Sequence, residues 1–307
     1  MASSSNSSPT PRQTWRLALV AMIAAACLAL GAVPFLRPDR IAPPTDGAVA
    51  TAALPRADLA TIADHPPDRL TLYRAAHNPR VLVLDFPSLA AQAAAMNRIA
   101  ALIEKREMPR DRVLSHDELR RAIADAGQSF ETFYLGHDYE ASALARFFNL
   151  APAAGLSEAE HDLLRLLYRH AVLQSTADGF VPGASAQAVV SLAATGEGGD
   201  AEADLRRFVL RHELAHGEFF TRVFYRAQCD RFWREFMSAA ERDAVRGFLG
   251  ALDYDTGNET LMINEMQAYI GYAPASISSA GIGGLDAATF ETLRGRFHRR
   301  VTAMPDF

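Results

Sequence analysis

Cysteine is nearly absent: Cys27 lies within an apolar run near the N-terminus, and Cys229 stands alone after it. No intrachain disulfide can form in a domain that begins after that run, so its stability has to come from packing. An excess of positive charge is also lacking. The formal net charge is -5, which removes the global basic footprint of a nucleic-acid binder and excludes RNA or DNA as the expected substrate. Proline is missing from Glu202 to Phe220, and glycine occurs there only at Gly217, so little in that stretch opposes a helix. What is present suffices for a folded protein. Apolar residues make up 49% of the chain, and 307 residues allow one domain with extensions or a two-lobed one.

The N-terminus stands apart from that core. Arg12 and Arg16 precede an apolar run from Leu17 to about Leu36, so residues 1–36 read as a secretory signal peptide or an N-terminal membrane anchor. Ala29-Leu30-Gly31 offers a small-residue cleavage site, whereas continuation through Val33, Pro34, Phe35 and Leu36 suits an uncleaved anchor. Residues 37–69, with Pro38, Pro43, Pro44, Pro55, Pro66 and Pro67, read as a Pro- and Ala-rich tether, which leaves 70–307 as the folded domain. The expected location is periplasmic or otherwise extracytoplasmic.

His212-Glu213-Leu214-Ala215-His216 is an H-E-x-x-H pentapeptide. Residues at this spacing share one helical face, so both imidazoles reach a single Zn2+ ion. Glu213 is then held beside the remaining coordination position as general base, and the pattern encodes metal-assisted acyl hydrolysis. Leu205, Phe208, Val209 and Leu210 make the surrounding stretch, about 202–220, a buried helix. The Gly and His that metzincin-type sequences place after the second His are replaced by Phe219 and Arg222, so a third ligand must come from elsewhere. Glu265 is a candidate. It lies in Asn264-Glu265-Met266-Gln267-Ala268, inside a helix-compatible stretch at about 259–272, among apolar neighbours that do not suit a freely solvated carboxylate. The other acidic residues in the interval are Glu218, Asp230, Glu235, Glu241, Asp243, Asp253, Asp255 and Glu259. Of these, Glu218 is too near along the same helix, and Asp253 to Asn258 reads as a turn and cap.

An H-E-x-x-H followed on a later helix by Asn-Glu-x-x-Ala resembles the gluzincins, the thermolysin-like and aminopeptidase-like zinc peptidases. The resemblance spans about 202–272. It implies a zincin-like fold, one Zn2+ held by His212, His216 and Glu265, Glu213 as base, and a peptide or protein substrate. Two departures accompany it. Tyr269 stands where thermolysin-like members carry an Asp that orients a metal-bound His, so another acceptor is needed. The interval between His216 and Glu265 is also longer and reads as an inserted helical pair: Val223, Phe224, Phe232, Trp233 and Phe236 recur at helical spacing. Ser238 with Glu241 then forms a capping box opening a helix to about Leu252. A Tyr beside such a site often stabilises the oxyanion, and Tyr269 and Tyr272 are nearest in sequence to Glu265.

Elsewhere, Arg80 to Phe86 is the strongest strand and an Ala-rich helix follows it. Ser115 caps a helix through about Ala126, and Ser157 with Glu160 opens one through about Val172. Thr132 to Leu135 is a candidate strand. Gly136-His137-Asp138-Tyr139 reads as a turn, although an imidazole beside a carboxylate suits metal or proton chemistry. Ala188 to Leu192 reads as a strand and, by the resemblance, as the sheet edge bordering the cleft. The expected fold is α+β and predominantly helical, with a small sheet next to the H-E-x-x-H helix and a C-terminal helical region. Two other functions compete with hydrolysis. One is a catalytically silent, zinc-stabilised binding or regulatory protein tethered to a membrane, for which Glu213 has no use. The other is a metal-free helical interaction protein, which would leave buried imidazole nitrogens without partners.

Overall fold

The structure, a computed structural model, describes residues 53–106, 108–196, 199–273 and 282–302. The apolar run from Leu17 to Leu36 lies outside these residues, and no helix among the described ones is long and apolar enough to cross a membrane. In chain order the elements are β1 (Arg56–Ala57), α1 (Leu59–Ala63), β2 (Thr71–Ala75), β3 (Val81–Phe86), α2 (Leu89–Ile103), α3 (His116–Asp125), β4 (Gly136–Glu140) and α4 (Ala141–Leu150). They continue with a 3-10 turn (Ala151–Ala153), α5 (Glu158–Arg169), β5 (Leu173–Thr176), β6 (Gly179–Pro182), β7 (Ala188–Ala193), α6 (Gly199–Thr221) and α7 (Val223–Arg231). A π-helical turn (Phe232–Phe236), α8 (Ala239–Ala251), α9 (Glu259–Tyr272) and α10 (Ala287–Arg300) complete the fold, which is α+β.

The main sheet has the order β1-β2-β3-β7-β4, parallel at β1/β2 and β3/β7 and antiparallel at β2/β3 and β7/β4. Strands β3 and β7 are buried along their whole length, as their nearly continuous apolar sequences require when both faces of a sheet are covered. Leu82, Leu84, Phe86, Tyr139 and Val189 pack on one face against α2, α4 and α5. On the other face Val81, Val83, Val190 and Leu192 meet α1 and the Val209, Leu210 and Leu214 stripe of α6. The opposite side of α6 presents Ala215 and Phe219 to a third layer built from α7, α8, α9 and α10. Helix α6 is thus enclosed, with the sheet on one side and a helical layer on the other.

Two devices fix α6 against the sheet. Gly217 brings the helix backbone onto β3, since a Cβ there would lie 2.8 Å from Val81 Cγ2. Arg206, 1% exposed, donates to Asp85 Oδ1 and Oδ2 at 3.1 and 2.9 Å and to the Ala63 and Ile62 carbonyls at 3.1 and 2.9 Å. This side chain joins β3, α1 and α6.

Several expectations are corrected. Folding starts well before residue 70: the described part of the expected tether contains β1, which pairs with β2, and α1, which is capped by Asp58 and buries Leu59 and Ile62. The strand placed at Thr132 to Leu135 begins instead at Gly136, and the Gly136 to Tyr139 turn is that strand, β4. Ala188 to Leu192 is not an edge, because β7 pairs with β3 on one side and β4 on the other; the edge on this side of the sheet is β4. The β5–β6 hairpin, around Ala177-Asp178-Gly179, was not anticipated.

Candidate metal centre

Helix α6 sets His212 and His216 one turn apart, and α9 crosses it so that Glu265 faces both rings. All three residues are buried. The two Nε2 atoms lie 3.0 Å apart, His212 Nε2 is 3.6 Å from Glu265 Oε2, and His216 Nε2 is 3.7 Å from Glu265 Oε1. Ligands of a tetrahedral zinc ion with bonds of 2.0–2.2 Å are separated from one another by about 3.3–3.6 Å. The three groups converge closely enough to hold one such ion, although the imidazole nitrogens stand nearer each other than bound ligands do and the two Glu265 distances run to different oxygens.

The electrostatics fit a cation as well. Burial pushes the His212 imidazole down to about 3 and that of His216 to about 4, which keeps both neutral with a lone pair to share. Glu265 Oε2 and Glu213 Oε2 are buried without a hydrogen-bond partner. Burial, then the charges of Glu265 and Glu104, raises Glu213 well above the ordinary carboxylate range. Asp138 is raised likewise by burial and by Glu104, Glu213 and Glu265. Four carboxyl groups share one interior region, an arrangement that a divalent ion relieves.

Asp138 on β4 is the carboxylate nearest the outer nitrogen of His216, in the place of the acceptor missing at Tyr269, but beyond hydrogen-bond distance. Its Oδ2 lies 3.7 Å from His216 Nδ1 and accepts from Asn264 Nδ2 at 3.3 Å, so the Asn of the Asn-Glu pair ties α9 to the sheet edge. A carboxylate behind a ligand imidazole fixes its tautomer and raises its basicity. Asp138→Asn is expected to weaken zinc binding by about 10–100-fold, read by competition with a fluorescent zinc chelator. An unchanged affinity would remove Asp138 from the site.

Tyr269 packs its ring against His212 with centroids 4.6 Å apart, and it lines the cleft. Tyr272 is not brought to the site: it is turned toward Tyr225 and His298. Two residues that the sequence did not single out belong here. Tyr254 faces the Glu265 carboxylate, and its hydroxyl counters part of the upward push that burial gives that group. Glu104, at the end of α2, is buried, and burial and the Glu265 charge push it up to about 8. Neither carried a local signal, since Tyr254 sits in a turn-like segment and Glu104 follows an ordinary helix. Glu218, set aside as a ligand, accepts from Asn78 Nδ2 at 2.6 Å and pairs with Arg222 at the far end of α6.

A cleft of about 450 Å3 opens onto this group, lined by His212, Glu213, Gly136, Tyr134, Lys105 and Tyr269 among others. Glu213 lies directly against β4: a Cβ on Gly136 would fall 2.4 Å from Glu213 Oε1. The outer side of β4 has no strand partner among the described residues. The chain matches no protein-family model, no curated protein and no solved structure.

Proposed function

We propose that the chain is a zinc-dependent peptidase of the gluzincin kind, with His212, His216 and Glu265 as metal ligands and Glu213 as general base. The carrying observation is the convergence of the His212, His216 and Glu265 donor groups from α6 and α9, with a further carboxylate, Glu213, beside them and facing the cleft. A purely structural zinc site has no use for that carboxylate. The sheet beside α6, with β4 at its edge, supports a zincin-like reading of the fold.

A bound Zn2+ supplies a Lewis acid that lowers the pKa of water and polarises a carbonyl. The side chains do the rest. Glu213 takes the proton of the attacking water and returns it to the departing amine as the C–N bond breaks, so that water and amide become acid and amine. Asp138, positioned by Asn264, would orient the His216 ring, and Tyr254 would orient the Glu265 carboxylate beside it. The Tyr269 hydroxyl is a donor for the developing oxyanion. The free side of β4 offers main-chain groups to an extended substrate. The apolar N-terminal run suggests that this work is done outside the cytoplasm on peptide or protein substrates, with the run as membrane anchor if it is retained.

The test is zinc content together with digestion of a peptide library read by mass spectrometry. One zinc per chain and cleavage abolished by a chelator are expected. Zinc without any cleavage would leave a structural staple. Gly136→Ala gives a finer check, because its methyl group has to displace Glu213. Peptide turnover is expected to fall about 10–100-fold at unchanged zinc content, since small misplacements of a catalytic group carry costs of that order.

A further inference from the structure

Among the described residues that line the cleft, Lys105 is the only lysine or arginine. It is 9% exposed, and its ammonium nitrogen lies 4.4 Å from the centre of the Phe133 ring and 4.6 Å from that of Tyr134. The origin of the side chain is fixed on both sides. The Lys105 backbone bridges to Tyr254, and its carbonyl accepts from Arg110 Nη2 at 2.7 Å. Glu104 and Asp253 contribute to the field at the ammonium group, yet among the described residues no carboxylate lies within ion-pair distance of it. Asp253 is engaged elsewhere, by Gln128 Nε2 at 3.3 Å and Arg106 Nη2 at 3.7 Å. A cation in a nearly dry wall is costly without a counter-ion, and one facing a substrate cleft can take that counter-ion from the substrate.

We propose that the cleft selects substrates bearing a carboxylate and that Lys105 receives it. The inference rests on the peptidase reading for the path of the chain and deepens it by naming a substrate class. Glu213 touches Gly136, and Phe133, three residues back along the same wall, holds the ammonium group. The recognised carboxylate therefore lies to the Phe133 side of the bond attacked, along the wall that leads from Gly136. It is either an Asp or Glu side chain or a free C-terminus.

The probes are three octapeptides of Ala and Leu labelled at the N-terminus with an uncharged dansyl group: a neutral C-terminal amide, the same sequence with a free C-terminal carboxylate, and the amide with one internal Glu. Binding is read by anisotropy on the zinc-loaded full chain carrying Glu213→Gln, so that turnover is not needed. At least one carboxylate peptide is expected to bind 10-fold or more tighter than the neutral amide, and which one identifies the source. Adding Lys105→Met should remove the preference at unchanged zinc content and melting temperature, and Lys105→Arg should restore it. Equal binding of all three peptides, or a preference that survives Lys105→Met, overturns the inference. Lys105-dependent binding of peptides that the wild-type chain never cleaves would uphold the carboxylate site and sink the peptidase reading instead.

Discussion

Under the proposed mechanism, replacing Glu213 with Gln is expected to lower kcat by about 10²–10⁴-fold, the range for losing a general base, while zinc stays bound. The amide keeps the shape of the carboxylate and its place against Gly136, but it cannot accept a proton from water. Glu213 is outside the His212, His216 and Glu265 group but shares a second one with Asp138 and His216, so retained zinc is the result that assigns the ion to the first group. Removing Glu265 has a different signature: zinc affinity falls first and activity follows it. The two substitutions separate base from ligand when zinc content and turnover are measured on the same samples. Full turnover in Glu213→Gln with zinc bound would show that the proton goes elsewhere.

The second large effect lies in stability. Arg206→Ala leaves Asp85 in the core without its two donors and frees the Ile62 and Ala63 carbonyls. Breaking a buried pair from one side costs about 3–5 kcal/mol. For a domain of this size that corresponds to a fall in Tm on the order of 10 °C. Asp85 is already pushed up to about 6 by burial with the guanidinium beside it, so it tolerates solitude poorly. Arg206→Met with Asp85→Leu is expected to recover most of the loss, because the penalty comes from the charge left behind. A double variant as unstable as Arg206→Ala would show that the arginine's contacts with α1 dominate. Calorimetry of the single and double variants distinguishes these outcomes.

What was legible in the sequence is what local chemistry determines. The cap at Ser115 and the boxes at Ser157 and Glu160 and at Ser238 and Glu241 all open helices, since both partners lie within one turn; the structure adds Glu118 as the partner of Ser115. The helix carrying His212, Glu213 and His216 announces itself by its apolar spacing. The helix carrying Glu265 was read from its Asn-Glu segment, and the structure brings Glu265 to the two histidines. Strand β4 was hidden because Gly136-His137-Asp138-Tyr139-Glu140 has the polarity of a turn; it is a strand because β7 pairs with it and α6 and α9 cover it. Asp138 was accordingly seen as a polar residue of interest but not as the partner of His216. Strand β1 and helix α1 are too short to carry a periodic signal, and they are held by β2 and Arg206, contacts made far along the chain. Tyr254 became visible only when the loop before α9 was placed over Glu265.

Anomalous diffraction at the zinc absorption edge, from crystals of the chain grown with zinc, tests the central claim most directly. The account predicts one peak, about 2.0–2.2 Å from His212 Nε2, His216 Nε2 and a Glu265 oxygen. No peak at saturating zinc, or a peak that His216 or Glu265 does not touch, would contradict it.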